Sequence, residues 1–356
     1  MTLMMTAATG VQRNVGSVGA VWPPRFEPEN ARTKGFYPHR LGSLADIREV
    51  LSNAWNAHHR NGSTRCSVRA FVGRNLIETI RRGDGMDSSF RVEAVVPATH
   101  AVLDHDLVYF GVNEPERCRA FEFFDIPGGR QPYIPGAREQ PSFMTPYEQI
   151  RCIEQRIVQR SSEKNSVDLE TARVRIARAG YRMERLNQMC EFDLDVLEQL
   201  YHEAYQEYTF PITRENIARM LTDDNVFMVA RDANNRIVSA MVGEGCPMEI
   251  DGTQMRLVEL SDYATFIAHE GHGLITALQL ESIRTLREEM GSQGTIIHAE
   301  TRAPWTSVNI AARKAGMIYC GTAELHCTLE ARRDTSFRSF FYGPYENLNV
   351  FYLPHT

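Results

Sequence analysis

Residues 255–290 read "MRLVELSDYATFIAHEGHGLITALQLESIRTLREEM", and this stretch decides the fold. Its first eleven residues favour a β-strand, and the part after position 273 has the apolar spacing of an amphipathic helix. Between the two segments, Gly271 and Gly273 flank a single histidine. Such a seam can be an ordinary turn, a metal site built on His269 and His272, or a cradle for a phosphate-bearing cofactor.

The metal interpretation is the weakest of the three. His269 and His272 are three residues apart, a spacing that brings side chains together only within a helix, and Gly271 lies between them. No further His or Cys is close in sequence, so we expect no bound metal. The phosphate interpretation has a mechanism, because the first turn of a helix leaves backbone N–H groups unpaired at the positive end of its dipole. Complete Rossmann and P-loop fingerprints are absent.

On both sides of this stretch, the segments after residue 179 alternate between strand and helix patterns. The strands are "YRMERLN", "NVFMVARD", "IVSAMVGEGCPMEI", "MRLVELSDYAT", "GTIIHAETR", "MIYCGTAELHCTL" and "LNVFYLP". The helices are "DLDVLEQLYHEAYQEY", "TRENIARML", the segment after the glycine turn, and "SVNIAARKAG". The predicted order is β-α-α-β-β-β-α-β-α-β-β.

This order, with a glycine turn after the fourth strand, resembles the GNAT superfamily, the Gcn5-related N-acetyltransferases. The resemblance covers residues 179–356 and implies an α/β (α+β) fold with a mixed, mainly antiparallel sheet flanked by helices. In that family the turn reads Gln/Arg-x-x-Gly-x-Gly/Ala and holds the pyrophosphate of acetyl-CoA. The segments "SDYAT", "ETRAPWTSVNIAARKAGMIYCGT" and "YENLNVFY" are distantly similar to the bacterial and archaeal β-lysine N-acetyltransferases.

The resemblance implies a set of cofactor-binding positions along the fourth strand, the turn and the last helix. They are Tyr263, Ala264, Thr265, Gly271, His272, Gly273, Leu274 and Asn309. Asn309 could instead cap its own helix. The turn departs from the family pattern, because Ala268 stands where Gln or Arg is usual and Glu270 places a negative charge beside the expected phosphates.

The candidate bases for deprotonating an amine are Glu259, Asp262 and Glu300. Glu259 and Asp262 are three residues apart and would point to opposite faces of a regular strand, unless a bulge intervenes. Each of the three could equally be a structural carboxylate, and a base acting through water would also serve. Many relatives place a tyrosine four residues before the glycine of the last helix, where this chain has Ala312.

The segment "YHEAYQEYTF" is rich in tyrosine and glutamate and could hold a cationic amine. An amphipathic helix with a solvated acidic side explains the same residues. Ahead of the resemblance, we expect a flexible tail over residues 1–25 and an α/β region over 26–170. The Pro- and Gly-rich stretch "FDIPGGRQPYIPGAREQPSFMTP" predicts a loop or boundary. Whether the N-terminal region is a second GNAT-like fold, a lid or a dimerisation element stays open.

Composition limits the remaining classes. A net charge of −6 gives no overall basic surface for nucleic acid, and no apolar run approaches the roughly 20 residues that span a bilayer. Seven scattered cysteines without a Cys-x-x-Cys pair indicate reduced thiols in a cytoplasm.

The sequence therefore predicts a cytoplasmic N-acyltransferase, most simply an N-acetyltransferase. It would move an acyl group from acetyl-CoA or another acyl-CoA to the amine of a small molecule or amino acid, by direct attack in a ternary complex, without a metal. We expect no nucleic-acid or membrane partner, and a homodimer is possible. Two alternatives stay open: a donor that is an aminoacyl-tRNA or carrier-protein thioester, and a catalytically inactive GNAT-like protein that binds a ligand or partner.

Overall fold

The structure is a computed structural model that describes residues 22–27, 32–83, 89–98, 104–119, 146–205, 208, 211–222, 224–250, 252–290, 294–327 and 345–354. The strands are β1 Trp22–Glu27, β2 Arg32–Leu41, β3 Arg65–Gly73, β4 Arg91–Val96, β5 His105–Asn113, β6 Arg182–Arg185, β7 Val226–Arg231, β8 Ile237–Ile250, β9 Thr253–Thr265, β10 Thr295–Arg302, β11 Ile318–Cys327 and β12 Glu346–Tyr352. The helices are α1 Leu44–Asn61, α2 Arg74–Arg81, α3 Pro115–Arg119, α4 Pro146–Ser162, α5 Leu169–Arg178, α6 Glu191–Ala204, α7 Arg214–Arg219, α8 Leu274–Met290 and α9 Thr306–Lys314.

The C-terminal half has the predicted α/β architecture, a mixed and mainly antiparallel sheet flanked by helices. Its strands run in the order β6-β7-β8-β9-β10-β12-β11. β9 and β10 are parallel and are joined by α8, while the other described neighbours in this half are antiparallel. The predicted succession of strands and helices is confirmed here, including the turn between β9 and α8.

The N-terminal half repeats part of this arrangement. Its strands lie in the order β1-β2-β3-β5-β4, with β2 parallel to β3 and α1 connecting them. Strand by strand and helix by helix, β1 to β5 with α1 and α2 correspond to β8 to β12 with α8 and α9. The region over residues 26–170, whose nature the sequence left open, is thus in part a second copy of the β8–β12 unit.

The two copies meet edge to edge in one 12-stranded sheet. β4 pairs antiparallel with β11, with Ala94 opposite Gly321. A Cβ on Gly321 would lie only 2.2 Å from the carbonyl oxygen of Glu93, and Gly321 itself has φ +152°. Glycine is therefore what allows the two edge strands to approach each other.

An apolar cluster also joins the halves. It combines residues of β2, β3 and β5 with residues of β8, β9, β10 and β12, among them Phe36, Phe71 and Tyr109 from the first half and Met255, Leu257 and Ile296 from the second. One face of each half-sheet is therefore buried against the other half, while α1 and α8 cover separate cores.

Secondary structure crosses both of the domain boundaries expected from the sequence. β1 begins at Trp22 and pairs with β2, so the last residues of the predicted tail belong to a strand, and residues 1–21 lie outside the described part. α5 crosses the predicted boundary at residue 170. Since α4 packs on α9 and α5 on α8, these two helices belong with the C-terminal half.

Two smaller observations concern the sequence expectations. Cys66, Cys152, Cys190, Cys246 and Cys320 are free thiols. Among the described helices, none combines the length and the hydropathy that a bilayer crossing requires.

Candidate functional site

A β-bulge interrupts β9 near its end. The register passes from Ser261 opposite Val242 to Ala264 opposite Ala240, so two residues of β9 stand against one of β8. Asp262, the first of the two, has φ +55°. Side chains alternate strictly only in a regular strand, so the expectation that Glu259 and Asp262 point to opposite faces does not apply across the bulge.

At the same level, β9 and β10 part. Their parallel pairing extends from Thr295 opposite Arg256 to Ala299 opposite Leu260, whereas β9 continues to residue 265 and β10 to residue 302. Beyond this point β9 stays paired with β8, and β10 with β12. Backbone groups of residues 261–265 that face β10 therefore border a gap instead of a strand.

Three tyrosines from α6 and the segment after it hold the bulge. The Tyr201 hydroxyl donates to the carbonyl oxygen of Asp262 (3.3 Å), and Tyr205 donates to the carbonyl oxygen of Tyr263. The Tyr208 hydroxyl donates to the carboxylate of Asp262. The tyrosines of "YHEAYQEYTF" thus satisfy polar groups of β9, a role that neither sequence interpretation contained.

The glycine loop has an open backbone at the start of α8. Gly271 has φ +84° and Gly273 has φ +81°, and an added Cβ on Gly271 would meet no atom within 4 Å. Leu274 begins the helix with its side chain buried in the core. The first helical hydrogen bond runs from Ala277 N to Gly273 O (3.1 Å), so the amides before Ala277 have no acceptor within the helix.

The two loop histidines lie against the same aromatic ring. Nδ1 of His269 shares a hydrogen bond of 3.0 Å with the Tyr181 hydroxyl, and the His272 ring lies 5.3 Å from the Tyr181 ring centroid. Glu203 of α6 accepts a hydrogen bond from Ile267 N at 2.8 Å. The histidines therefore pack the loop onto its surroundings.

An arginine that the sequence did not single out lies beside this loop. A guanidinium nitrogen of Arg175, on α5, is 3.9 Å from the position that a Cβ on Gly273 would take. Arg175 is exposed, and its side chain forms no hydrogen bond or ion pair with the residues that the structure describes. It places a positive charge at the loop, where Ala268 provides none and Glu270 is acidic.

Glu259 and Glu300 are brought together by an arginine from the N-terminal half. Arg69, on β3, contacts Glu259 at 3.1 Å and Glu300 at 2.5 Å. The Tyr109 hydroxyl on β5 donates to Glu300 at 3.0 Å, and the guanidinium of Arg69 lies 4.9 Å from the Tyr109 ring centroid. The Glu259 side chain is 25% exposed, whereas those of Arg69 and Glu300 are buried.

Charge fixes the protonation states in this cluster. Burial alone would raise the pKa of Glu259, but the charge of Arg69 and the neighbouring His298 outweigh it and hold that pKa well below its usual range. Burial raises the pKa of Tyr109 well above its usual value, so its phenol stays protonated and can donate. Glu259 is therefore ionised at neutral pH and is a weak proton acceptor.

Among the residues that the structure describes, two groups of side chains could hold a metal ion, although the sequence indicated none. In the first, Glu259, His298 and Glu300 have ligand atoms within 4.8 Å of one another, but the Arg69 guanidinium already contacts both carboxylates. The second consists of His58, His59 and Glu114. There both ring nitrogens of His58 have hydrogen-bond partners, Ser63 and Glu114. Neither group requires an ion to satisfy its charges.

Asn309, the predicted cofactor-binding residue on α9, has its polar side-chain atoms engaged by the surrounding protein. Asn309 is completely buried, and its amide donates to the carbonyl oxygens of Arg302 and Trp305 while its oxygen accepts from Thr301 and Asn349. Its side chain therefore ties α9 to the sheet and has little to offer a ligand. Ala312 is fully buried in the core.

The structure thus separates the predicted residues into three groups, with Asn309 of α9 outside them. Asp262, Tyr263, Ala264 and Thr265 form the bulge and the edge of the gap, and residues 271–274 form the loop beside Arg175. Glu259 and Glu300 belong to the Arg69 cluster. Arg69, Tyr109, Arg175 and His298 were not predicted from the sequence. Only His298 had a visible signal, since it alternates with Glu300 on β10.

No protein-family model matches the chain, and its sequence matches no curated protein. Solved structures are similar in part. The ribosomal-protein-S18-alanine N-acetyltransferase of Escherichia coli is 14% identical, with 49% of this chain and 94% of that chain covered and a TM-score of 0.35. Spermidine N-acetyltransferase of Vibrio cholerae, in complex with CoA and spermine, is 12% identical, with 50% and 96% covered and a TM-score of 0.36.

A protein of Enterococcus faecalis V583 is 12% identical, with a TM-score of 0.28. The match covers 34% of this chain and 29% of that protein. The structures that resemble this chain thus include N-acetyltransferases, matched over about half of it. With TM-scores below 0.5 and identities of 12–14%, these similarities assign no activity to the chain.

Proposed function

We propose that the chain is an N-acyltransferase that moves an acyl group, most simply acetyl, from acyl-CoA to the amine of a small molecule or amino acid. The observation that carries the proposal is the parting of β9 and β10 beside the Asp262 bulge, directly before a glycine loop and a helix N-terminus. A thioester in this gap would have its carbonyl beside strand-edge amides and its phosphates beside the loop.

The residues at the loop fit a pyrophosphate. Gly271 leaves open space at the loop, the first amides of α8 lack helical acceptors, and Arg175 adds a cation. Acyl-CoA would contribute the activated carbonyl and a thiolate leaving group. The chain's own contribution is to orient that carbonyl against the amides of residues 261–265 and to hold the acceptor amine next to it.

The acidic residues take different parts in this proposal. Glu259 is ionised at neutral pH and partly exposed, so it suits attraction of the ammonium form of an amine. Asp262 lies at the bulge itself, with the Tyr208 hydroxyl on its carboxylate, and we assign it the acceptance of the amine proton. Tyr208 is also the phenol positioned to pass a proton towards the leaving thiolate, in place of the tyrosine absent at position 312.

The direct test is calorimetric titration of the intact chain with acetyl-CoA, longer acyl-CoAs and free CoA. We expect binding below millimolar concentration. No binding of any of them would reject the proposal, and would favour either a macromolecular thioester donor or a protein without acyl transfer.

A variant pair sharpens the test. Arg175→Ala should weaken CoA binding by about tenfold, because a charged hydrogen bond contributes roughly 1.5–3 kcal/mol. Arg178→Ala removes the same charge from the same helix and serves as the control. Loss with CoA and dephospho-CoA alike would place Arg175 at the pyrophosphate, and loss with CoA alone at the 3′-phosphate. Equal affinity of Arg175→Ala and the intact chain would contradict its assignment.

A further inference from the structure

The N-terminal half repeats the β8–β12 unit, but the start of its helix is closed to an anion. In α1, the Ser43 side chain accepts from Asp46 N, and the Asp46 carboxylate accepts from Ser43 N. This capping box fills the place that corresponds to the glycine loop with an acidic side chain. The repeat therefore does not present a second phosphate cradle. Its contribution to the site is of a different kind.

That contribution is visible across the buried face between the halves. β3 of the repeat corresponds to β10, and it directs Arg69 onto the two carboxylates that stand on β9 and β10. β5, the counterpart of β12, directs Tyr109 onto the same Glu300. The contacts span about 190 residues of sequence, and the described guanidinium on Glu259 comes from the N-terminal half.

We infer that the N-terminal half completes the acceptor side of the site, with Arg69 as a positioning residue that holds the carboxylates of Glu259 and Glu300 in fixed orientation. Without a cation between them, two nearby carboxylates share protons, and one of them becomes neutral as the pH falls. With Arg69 present, Glu259 keeps its charge and its place beside the gap. The inference rests on the proposed acyl transfer for its catalytic meaning.

His298 is a second neighbour of the Glu259 carboxylate. Its side chain is 1% exposed on β10, and its Nε2 is 3.6 Å from the Glu259 carboxylate, the same carboxylate that Arg69 contacts. Neither ring nitrogen has a hydrogen-bond partner among the described residues. The titratable and charged groups facing Glu259 are Arg69 from β3, Lys34 from β2, Tyr109 from β5, Glu244 from β8, Tyr263 from β9, and His298 and Glu300 from β10.

The test follows the glutamate carboxyl groups directly, by 13C NMR of the intact chain labelled at glutamate Cδ and titrated from pH 7 to pH 3. Glu259→Gln and Glu300→Gln assign the two signals. In Arg69→Met we expect the Glu259 signal to titrate at least one pH unit higher than in the intact chain, because an opposite charge at this distance lowers a carboxyl pKa by about 1–3 units. Arg69→Lys should restore part of the shift.

Arg231→Met is the matched control. Arg231, on β7, is also buried and also binds two carboxylates, but these are Asp193 of α6 and Glu184 of β6, not Glu259 or Glu300. An unchanged Glu259 titration in Arg69→Met, or an equal change in Arg231→Met, would overturn the inference.

With an acceptor in hand, the acid limb of kcat/KM should move upward in Arg69→Met and stay in place in Arg231→Met. An acid limb that does not move in Arg69→Met would remove the catalytic part of the inference. Failure of the wild-type chain to bind any acyl-CoA would reject the acyltransferase proposal, while the carboxyl titration would still decide whether Arg69 sets the state of Glu259.

Discussion

Asp262 allows the fold and the chemistry of the bulge to be tested separately. It combines a left-handed backbone, φ +55°, with a carboxylate that accepts from Tyr208. Asparagine tolerates this backbone as well as aspartate does and keeps an acceptor oxygen. We therefore expect Asp262→Asn to lose only about 1 kcal/mol of unfolding free energy, because a neutral hydrogen bond replaces a charge-assisted one.

Other substitutions should separate the two contributions. Asp262→Ala loses a charge-assisted hydrogen bond of roughly 1.5–3 kcal/mol and meets the left-handed backbone less readily, so we expect a loss of about 2–3 kcal/mol. Asp262→Gly loses the same bond but relieves roughly 1 kcal/mol of backbone strain, giving a smaller loss. Urea unfolding with unchanged m-values measures this order.

Activity should follow a different order. If Asp262 accepts the amine proton, Asp262→Asn should lower the rate of acyl transfer about 10²–10⁴-fold while leaving CoA affinity unchanged. Full activity in Asp262→Asn would refute the assignment of the base. A stability loss in Asp262→Asn equal to that in Asp262→Ala would refute the account of the bulge.

Three further predictions concern the scaffold. Burial, opposed by Arg151 and Asn347, raises the pKa of Glu154 to about 7. The stability that the protonated Glu154 contributes is therefore complete below pH 4.5 and is lost as the pH rises towards 7. In thermal melts, the free energy of unfolding of Glu154→Gln should rise relative to that of the wild type by up to roughly 3 kcal/mol between pH 4.5 and 8. An equal pH dependence in both proteins would contradict this. Asn309→Ala should lower the free energy of unfolding by about 3 kcal/mol, since it leaves several buried hydrogen-bond partners unsatisfied. The variant should bind CoA as tightly as the wild type does. Weaker CoA binding by the folded variant would indicate that Asn309 contacts the cofactor. Gly321→Ala should lower the free energy of unfolding by roughly 2–3 kcal/mol, because the new methyl group would clash with the Glu93 backbone. Gly42→Ala should be near neutral, because its methyl group would have no atom within 4 Å. Similar melting temperatures for the two variants would refute the close approach of β4 and β11.

The C-terminal half could be predicted because its signals are local. In residues 255–290, strand pattern, glycines and helical spacing follow one another without ambiguity. The same is true of α1, where Ser43 and Asp46 form a capping box and Gly62 adopts the left-handed conformation that ends the helix.

The elements that were missed depend on distant partners. β3, "RCSVRAFVG", is buried along its length although it contains Arg65 and Arg69. A strand pattern does not predict that arginines are buried, because their burial depends on ion pairs with Glu93, Glu259 and Glu300 from other strands. The bulge at Asp262 was invisible for a related reason, because it is a property of the register between two strands and not of either strand alone.

The strand order also has a consequence for the outer rims of the sheet. The inner edges of the two repeats are paired with each other through β4 and β11, which leaves β1 and β6 at the ends of the described sheet. β1 is six residues long and contains two prolines, and β6 is four residues long with three charged side chains. Both features discourage the addition of a further strand. Addition of a strand is therefore disfavoured at both ends of the described sheet, so its helical faces are better suited than its edges to association between copies.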